Sequence, residues 1–488
     1  MAETYAAETA EATRTETHAD LIAAEDVLLF VNAAVTATGQ REFRSGAAEQ
    51  RLSLDFLHEY VLVNYRPVYA AALALDINDH NASRIAMNLL RTSAEAGPGE
   101  KHAEGRLIAA RLSALPPQRV YRLFRALRAA RVNNRRTRAL MRDWLAARPD
   151  PAHDAVKYRA GLKETARHAH LPLPSAELGD FLFAPSRRPR YAHAYLDAHR
   201  RAHHEQSAVY ELPFTVAEGF AARHGMSRDA FLERMAPRMT RLERLRTQRT
   251  GPGADLTVMP LTRLALYVLS LPFDERSARR GELTAALRTA ARRAAGPHAG
   301  TWGRVSTVLD DSYSSSGSGV KRRRPLAVAL ACHFLLEALA GEGPGAYRPF
   351  WTSGSTDPLL LRPWGPTPLG TRILDALECS PRRLVIVSDG WDNAPPGLAG
   401  EVLRVWRTRL DPDRLTSVVH LNPVFDADGF DVRRLAPSVP TAGIRDAEDL
   451  PALVELAQFA EGRTGLPELR AYLDRRVELF LEREEAAR

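Results

Sequence analysis

The chain has 488 residues, 45% of them hydrophobic, enough for two or three domains with sizeable cores. A formal charge of +8 points to an anionic partner, but only Lys101, Lys157, Lys163 and Lys321 are lysines among 67 basic residues. So strong an arginine and alanine bias is what a GC-rich genome produces without selection for nucleic acid, and charge alone therefore excludes little. Cys332 and Cys379 are the only cysteines and lie in apolar stretches without metal-ligand spacing, which excludes a disulfide scaffold. With no run of about 18 apolar residues and no basic-then-apolar leader, the expectation is a soluble, cytoplasmic protein without a membrane partner.

Residues 1–19 are rich in Ala, Glu and Thr and are expected to form a disordered tail. From residue 20 to 297 apolar residues recur at helical spacing and strand-like alternation is scarce. The clearest expected helices are 60–75, 81–92, 104–112, 118–130, 134–147, 175–183, 192–204, 215–224, 228–246 and 262–271. Pairs at Leu115-Pro116, Leu171-Pro172, Leu212-Pro213 and Met259-Pro260 are each expected to head a helix. The last two intervals fit the period of roughly 40 to 47 residues of HEAT-like helical pairs and the first does not. An irregular α-solenoid and an ordinary globular helical domain both remain open.

One stretch of this half is chemically distinctive. Arg122, Arg125 and Arg128 stand at spacing three opposite Leu123, Phe124 and Leu127, a basic stripe on an amphipathic helix; Arg135, Arg136 and Arg138 follow. No acidic residue occurs from Arg119 until Asp143, so the repulsion has to be answered from outside the helix. Such a stripe suits phosphate contacts.

The second half carries a different signal. Val305-Ser306-Thr307-Val308-Leu309 is a strand-type run that ends in Asp310, Ser312 and Ser314 at alternating positions, so that three oxygens can converge on a hard cation such as Mg²⁺. A turn-rich loop with Thr367 comes next. The apolar strand 383–388 then delivers Asp389 to the same sheet edge, with Asp392 close behind. The run Lys321-Arg322-Arg323-Arg324-Pro325 reads as a solvated helix start or a basic patch near this site. An edge strand is expected over 439–444 and helices over 447–460 and 466–484.

Strand with Asp-x-Ser-x-Ser, loop with Thr, and strand with Asp-Gly together resemble the von Willebrand factor A domain and its metal-ion-dependent adhesion site. The resemblance implies Asp310, Ser312, Ser314, Thr367 and Asp389 as direct or water-mediated ligands, with one position left for a partner's carboxylate. In the first half, the basic helix ending in Asp143-Trp144, the Val156-Lys157-Tyr158 element and the Lys163-Glu164-x-x-Arg167-x-x-His170-Leu171-x-Pro element resemble the TROVE module of Ro autoantigen-like proteins. There a ring of HEAT-like repeats is joined to a von Willebrand A domain. What this implies is a multidomain chain. An N-terminal all-α HEAT-like helical-repeat ring or arc occupies 20–297, and a C-terminal α/β doubly wound A domain occupies 298–488, with accessory helices over 446–488. It also implies RNA binding, of small structured Y-like RNA on the basic surface and 3′ ends of misfolded RNA in the ring, through Lys157, Arg167 and His170. The chain departs from the pattern in being a few residues shorter between Lys157 and His170, and Gly161 stands near where a further basic residue is expected.

No His-Glu-x-x-His, no Gly-rich loop with a Lys-Ser/Thr tail and no strand-elbow-helix serine is present, so no enzyme is expected. The expectation is a non-enzymatic RNA-binding protein of a small ribonucleoprotein or of RNA quality control. Its partners would be RNA and an acidic protein or exoribonuclease. The alternative is a protein-interaction scaffold whose A domain captures an acidic partner through bound Mg²⁺.

Overall fold

The computed structural model describes residues 22–239, Glu243, 256–450 and 466–486. The expected tail over 1–19 lies outside the described residues, as do most of 447–460 and the end of the helix expected over 228–246. By internal contact the chain divides into two units, Met1–Asn81 with Asp255–Leu479, and Ala82–Ala254 with Phe480–Arg488.

The first unit is built on a parallel sheet of five strands in the order β2-β1-β3-β4-β7, comprising β1 (Val305–Leu309), β2 (Tyr347–Trp351), β3 (Arg383–Val387), β4 (Ser417–Asn422) and β7 (Thr441–Gly443). A short antiparallel hairpin, β5 (Phe425–Asp426) and β6 (Asp431–Val432), stands apart from it. β1 is buried at every position and β3 at four of five, which is why β3 reads as a continuous apolar run and β1 carries only the small polar residues Ser306 and Thr307 between its apolar ones. β1 lies between β2 and β3, with Leu309 in register with Trp351 on one side and Val387 on the other. The chain therefore turns one way out of β1 and crosses back to the other side for β3. The carboxyl ends of β1 and β3 flank that switch point, the place where open α/β sheets bind ligands.

The helix Arg324–Leu339 is apolar on all sides and buried without interruption from Pro325 to Leu336. It packs on β1, and Leu261–Ser270 and Arg280–Ala295 pack against it in turn. On the opposite face Leu369, Ile373 and Leu377 of one helix and Ala399 and Leu403 of the next close over Val308, Leu384, Ile386 and Val418. The two N-terminal helices, 22–36 and Ala47–Asn64, also belong to this unit. Asn32 Oδ1 accepts from Gly443 N–H of β7 at 2.9 Å while its Nδ2 donates to Asp431, and Gln50 and Ser53 donate to the carbonyls of Phe425 and Ala427. Residues 22–81 and 256–297 thus group with the sheet, unlike a division at 297/298: the partners of Asn32, Gln50 and Ser53 lie hundreds of residues away, and Thr262 and Arg276 reach Glu448 and the Leu361 carbonyl.

The second unit is all-helical over its described residues, from Pro98–Ala114 through Pro117–Ala129, Arg135–Ala146, Pro151–Lys157, Arg159–Ala169 and Ala176–Phe183 to Ala194–Arg201, Phe214–Arg223 and Arg228–Met235. Pro116, Pro213 and Pro260 are N-caps as expected, though Leu171-Pro172 is not. The next helix starts at Ala176, where the Ser175 hydroxyl accepts from Leu178 N–H and sets the start better than proline can.

Candidate metal centre and arginine surface

At the switch point the backbone brings four of the five expected ligand residues together. Asp310 follows β1 directly, and its N–H donates to Val387 O of β3 at 3.0 Å. Its Oδ1 accepts from Ser312 N–H at 2.9 Å and its Oδ2 from the Ser388 hydroxyl at 2.9 Å. The Ser312 and Ser314 hydroxyls are 3.2 Å apart, and Ser314 bonds in turn to the Asp389 carboxylate. Asp389 also accepts from Trp391 N–H at 3.1 Å. Thr367 is buried on a loop tied to the same place: Tyr313 N–H donates to Gly365 O, Trp364 N–H to Asp311 O, and Thr367 N–H to Asn393 Oδ1. Asp311, the other carboxylate of the run, points elsewhere and accepts from Thr352 and Ser353, anchoring the loop to the end of β2. Gly390 (φ +78°) is required here, since a Cβ at that position would lie 2.7 Å from Arg433 O.

Burial, and then the Asp389 charge, push the Asp310 carboxyl well above its ordinary value; burial likewise raises Asp389 against the pull of its hydrogen bonds. Two carboxylates sunk together at one strand end are costly as an unaccompanied pair. A divalent cation removes that cost, and the alternating hydroxyls supply the neutral oxygens that Mg²⁺ accepts. Asp392 adds a buried Oδ1 that has no hydrogen-bond partner among the described residues, its Oδ2 being held by Ala399 N–H. The residues fit a hard cation. Among the described residues, no three His, Cys, Asp or Glu side chains gather into a metal-ligand group, here or elsewhere, so the fit rests on two carboxylates and the hydroxyls beside them.

Two guanidinium groups stand at the mouth. Arg44 and Arg433 lie over the Trp391 ring at 4.1 and 3.8 Å from its centroid. Spacing within the 298–488 half carries no sign of Arg44, which arrives from a distant segment. The basic run after the metal loop is largely engaged. Lys321 pairs with buried Glu42, Arg323 donates to Leu269 O, and Arg324 donates to Arg445 O and Asp446.

The helical unit divides the expected RNA residues into two groups. Arg122, Arg135 and Arg138 are exposed and have no hydrogen-bond or ion-pair partner among the described residues. Arg125 and Arg128 are also exposed but share Glu164 of the helix Arg159–Ala169, at 3.0 and 3.5 Å, which is the outside answer to the stripe's repulsion. Arg167 is exposed over the Phe183 ring, and His170 is the exposed C-cap of its helix, at φ +51°. Arg136 and Lys157 are different: their side chains are each 16% exposed and pair with Glu104 and Glu243, themselves 4% and 8% exposed. Those two cations are already matched within the fold. Sequence inspection also passes over His199 and His203, four apart, whose rings come to 5.4 Å. Burial holds His199 down to about 4 and lowers His203, while Arg159 and Arg223 bring positive charge against the pair, with Arg223 3.1 Å from His203 Nδ1, which disfavours a cation there.

No helix among the described residues is long and apolar enough to cross a membrane. No protein-family model and no curated protein matches this chain.

Proposed function

We propose that the protein is a non-enzymatic binding protein whose sheet-bearing unit is a von Willebrand A-like domain. Asp310, Ser312, Ser314, Thr367 and Asp389 hold Mg²⁺ or a similar divalent cation there, and the site captures a carboxylate from an acidic protein partner. The observation that supports this reading is the convergence of two buried carboxylates and two hydroxyls at the switch point between β1 and β3. When bound, the cation supplies an electrophilic position for an incoming oxygen. Ser312 and Ser314 orient their hydroxyls toward it, Ser388 holds Asp310 in place, and the loops bearing Thr367 and Asp389 are fixed by backbone hydrogen bonds. Titration calorimetry with Mg²⁺ is the test. Wild type is expected to bind and to lose binding in Asp310→Ala and Asp389→Ala without unfolding; equal heats in all three proteins would end this reading.

A second reading, RNA binding of the Ro type, is favoured by the exposed guanidinium groups of Arg122, Arg135 and Arg138, which have no partner among the described residues. HEAT-like repeats and a cytoplasmic ribonucleoprotein role belong to this reading. Changing these three arginines to Gln is expected to lower RNA affinity at least roughly tenfold and to flatten its salt dependence. Sequencing of RNA recovered with the natively purified protein identifies the ligand, and recovery of no enriched RNA leaves the interaction protein alone.

A further inference from the structure

We propose that Arg44 and Arg433 form a second anion-receiving position beside the cation site, so that the captured segment is a peptide carrying two acidic side chains, one for the cation and one for the guanidinium pair. This rests on the cation-dependent capture proposed above and specifies its partner.

The argument starts from charge. Asp310 and Asp389 together balance the charge of a divalent cation, so neither is left over for the two arginines at the same mouth. Arg44 is exposed and has no carboxylate partner among the described residues, and the carboxylate paired with Arg433, Asp426, stands at 4.0 Å. Both groups are held in place rather than trailing in solvent. Trp391, on which they lie, donates its backbone N–H to Asp389, and both arginine charges act on the Asp389 carboxyl. Arg44 is further positioned by its two predecessors: the Phe43 ring meets Tyr313 of the metal loop edge-on at 5.8 Å, and the buried Glu42 pairs with Lys321. A cation positioned on an aromatic ring keeps its outward N–H groups free, and a planar guanidinium matches a carboxylate fork. Tyr313 and Trp364, 65% and 62% exposed on the two loops of the site, offer apolar surface for the backbone between two acidic side chains. A single-stranded nucleic acid fits less well, because the indole that would stack a base already carries guanidinium groups.

The test compares two peptides, acetyl-Gly-Asp-Gly-Gly-Gly-amide and acetyl-Gly-Asp-Gly-Asp-Gly-amide, by calorimetry on the full chain in saturating Mg²⁺. The diacidic peptide is expected to bind about tenfold more tightly or better. The double variant Arg44→Gln, Arg433→Gln is expected to erase that preference while still binding Mg²⁺, more tightly than wild type because two positive charges leave the neighbourhood of Asp389, and Arg44→Lys restores part of the preference. Added NaCl shrinks the preference in wild type, a measurement that stands even where the double variant folds poorly. Equal affinity of the two peptides, or a preference that survives the double variant, overturns the inference while the cation reading stands. Tighter binding of hexa-adenylate than of the diacidic peptide overturns it in favour of nucleic acid. Binding of both peptides that ignores EDTA removes the cation reading itself, and this inference with it.

Discussion

Gly161 stands near where the sequence resemblance raises the expectation of a further basic residue, and packing shows what the position demands instead. A Cβ at Gly161 would lie 2.7 Å from the Tyr121 Cβ, so the helices Pro117–Ala129 and Arg159–Ala169 meet at a contact that only glycine permits. Tyr121 is itself committed, its hydroxyl donating to the buried Asp154 at 3.0 Å. Gly161→Ala is therefore expected to destabilise the helical unit by about 1–3 kcal/mol, read as a lower urea midpoint, despite alanine's better helix propensity. A gain in stability would show that the two helices separate freely. The same scale shows what residue types alone conceal. Lys157 and Arg136 have the chemistry of phosphate ligands, yet Glu243 and Glu104, 86 and 32 positions away, neutralise them. Nothing in local spacing announces such a partner.

At the scale of elements, strands that end in the site were legible and the edges of the sheet less so. β1 is a short β-branched run with Asp310 directly after it, and β3 a short apolar run with Asp389 one residue beyond its end, a local pattern that forecasts both the strand and the side chain near its end. β7 was also anticipated from its flanking pattern. β2 escaped because Tyr347-Arg348-Pro349-Phe350-Trp351 holds a proline and is half-exposed, which an edge strand tolerates and a pattern search rejects. Behind β2, the helix Arg324–Leu339 brings His333 against Tyr347, Nδ1 to the hydroxyl at 2.9 Å, and burial holds its imidazole down to about 4. Because the folded value lies below the ordinary 6.5, the imidazole stays neutral in the fold while the unfolded chain takes up a proton as pH falls. This contribution to stability is complete above about pH 6.5 and is lost on the way down to about 4, on the order of 3 kcal/mol in all. His333→Gln is expected to be less stable at pH 7 but to show a shallower decline between pH 6.5 and 4.5 in urea unfolding. Parallel declines in the two proteins would place the acid sensitivity elsewhere.

For the whole molecule, the division into units matters more than the count of helices. Residues 22–64 and 256–297 read as members of one helical series with 82–239, since helical spacing carries no address. Their destination is fixed only by distant groups such as Asn32 on β7 and by the outer side of Arg324–Leu339, which needs Leu261–Ser270 and Arg280–Ala295 to cover it. A fragment comprising 298–488 is thus expected to lack a cooperative unfolding transition and to associate through its uncovered apolar helix. A sharp monomeric transition in that fragment, seen by calorimetry and sedimentation, would instead make the sheet self-sufficient.

The hydrogen bond between Asn32 and Gly443 spans 411 positions, and synthesis has a direction. At translation rates of about 5–20 residues per second, the first helix leaves the ribosome roughly 20 to 80 seconds before the strand it docks on exists. During that interval it can already pack on residues 58–81, where Phe30 meets the His58 and Tyr69 rings and Asn78 and Asn81 donate to carbonyls of Ala33, Ala34 and Ala37, while the side that Asn32 turns to β7 stays uncovered. The N-terminal helices are therefore expected to assemble as a local cluster first and to close on the sheet last, and a chain cut short before residue 441 leaves Asn32 without its strand.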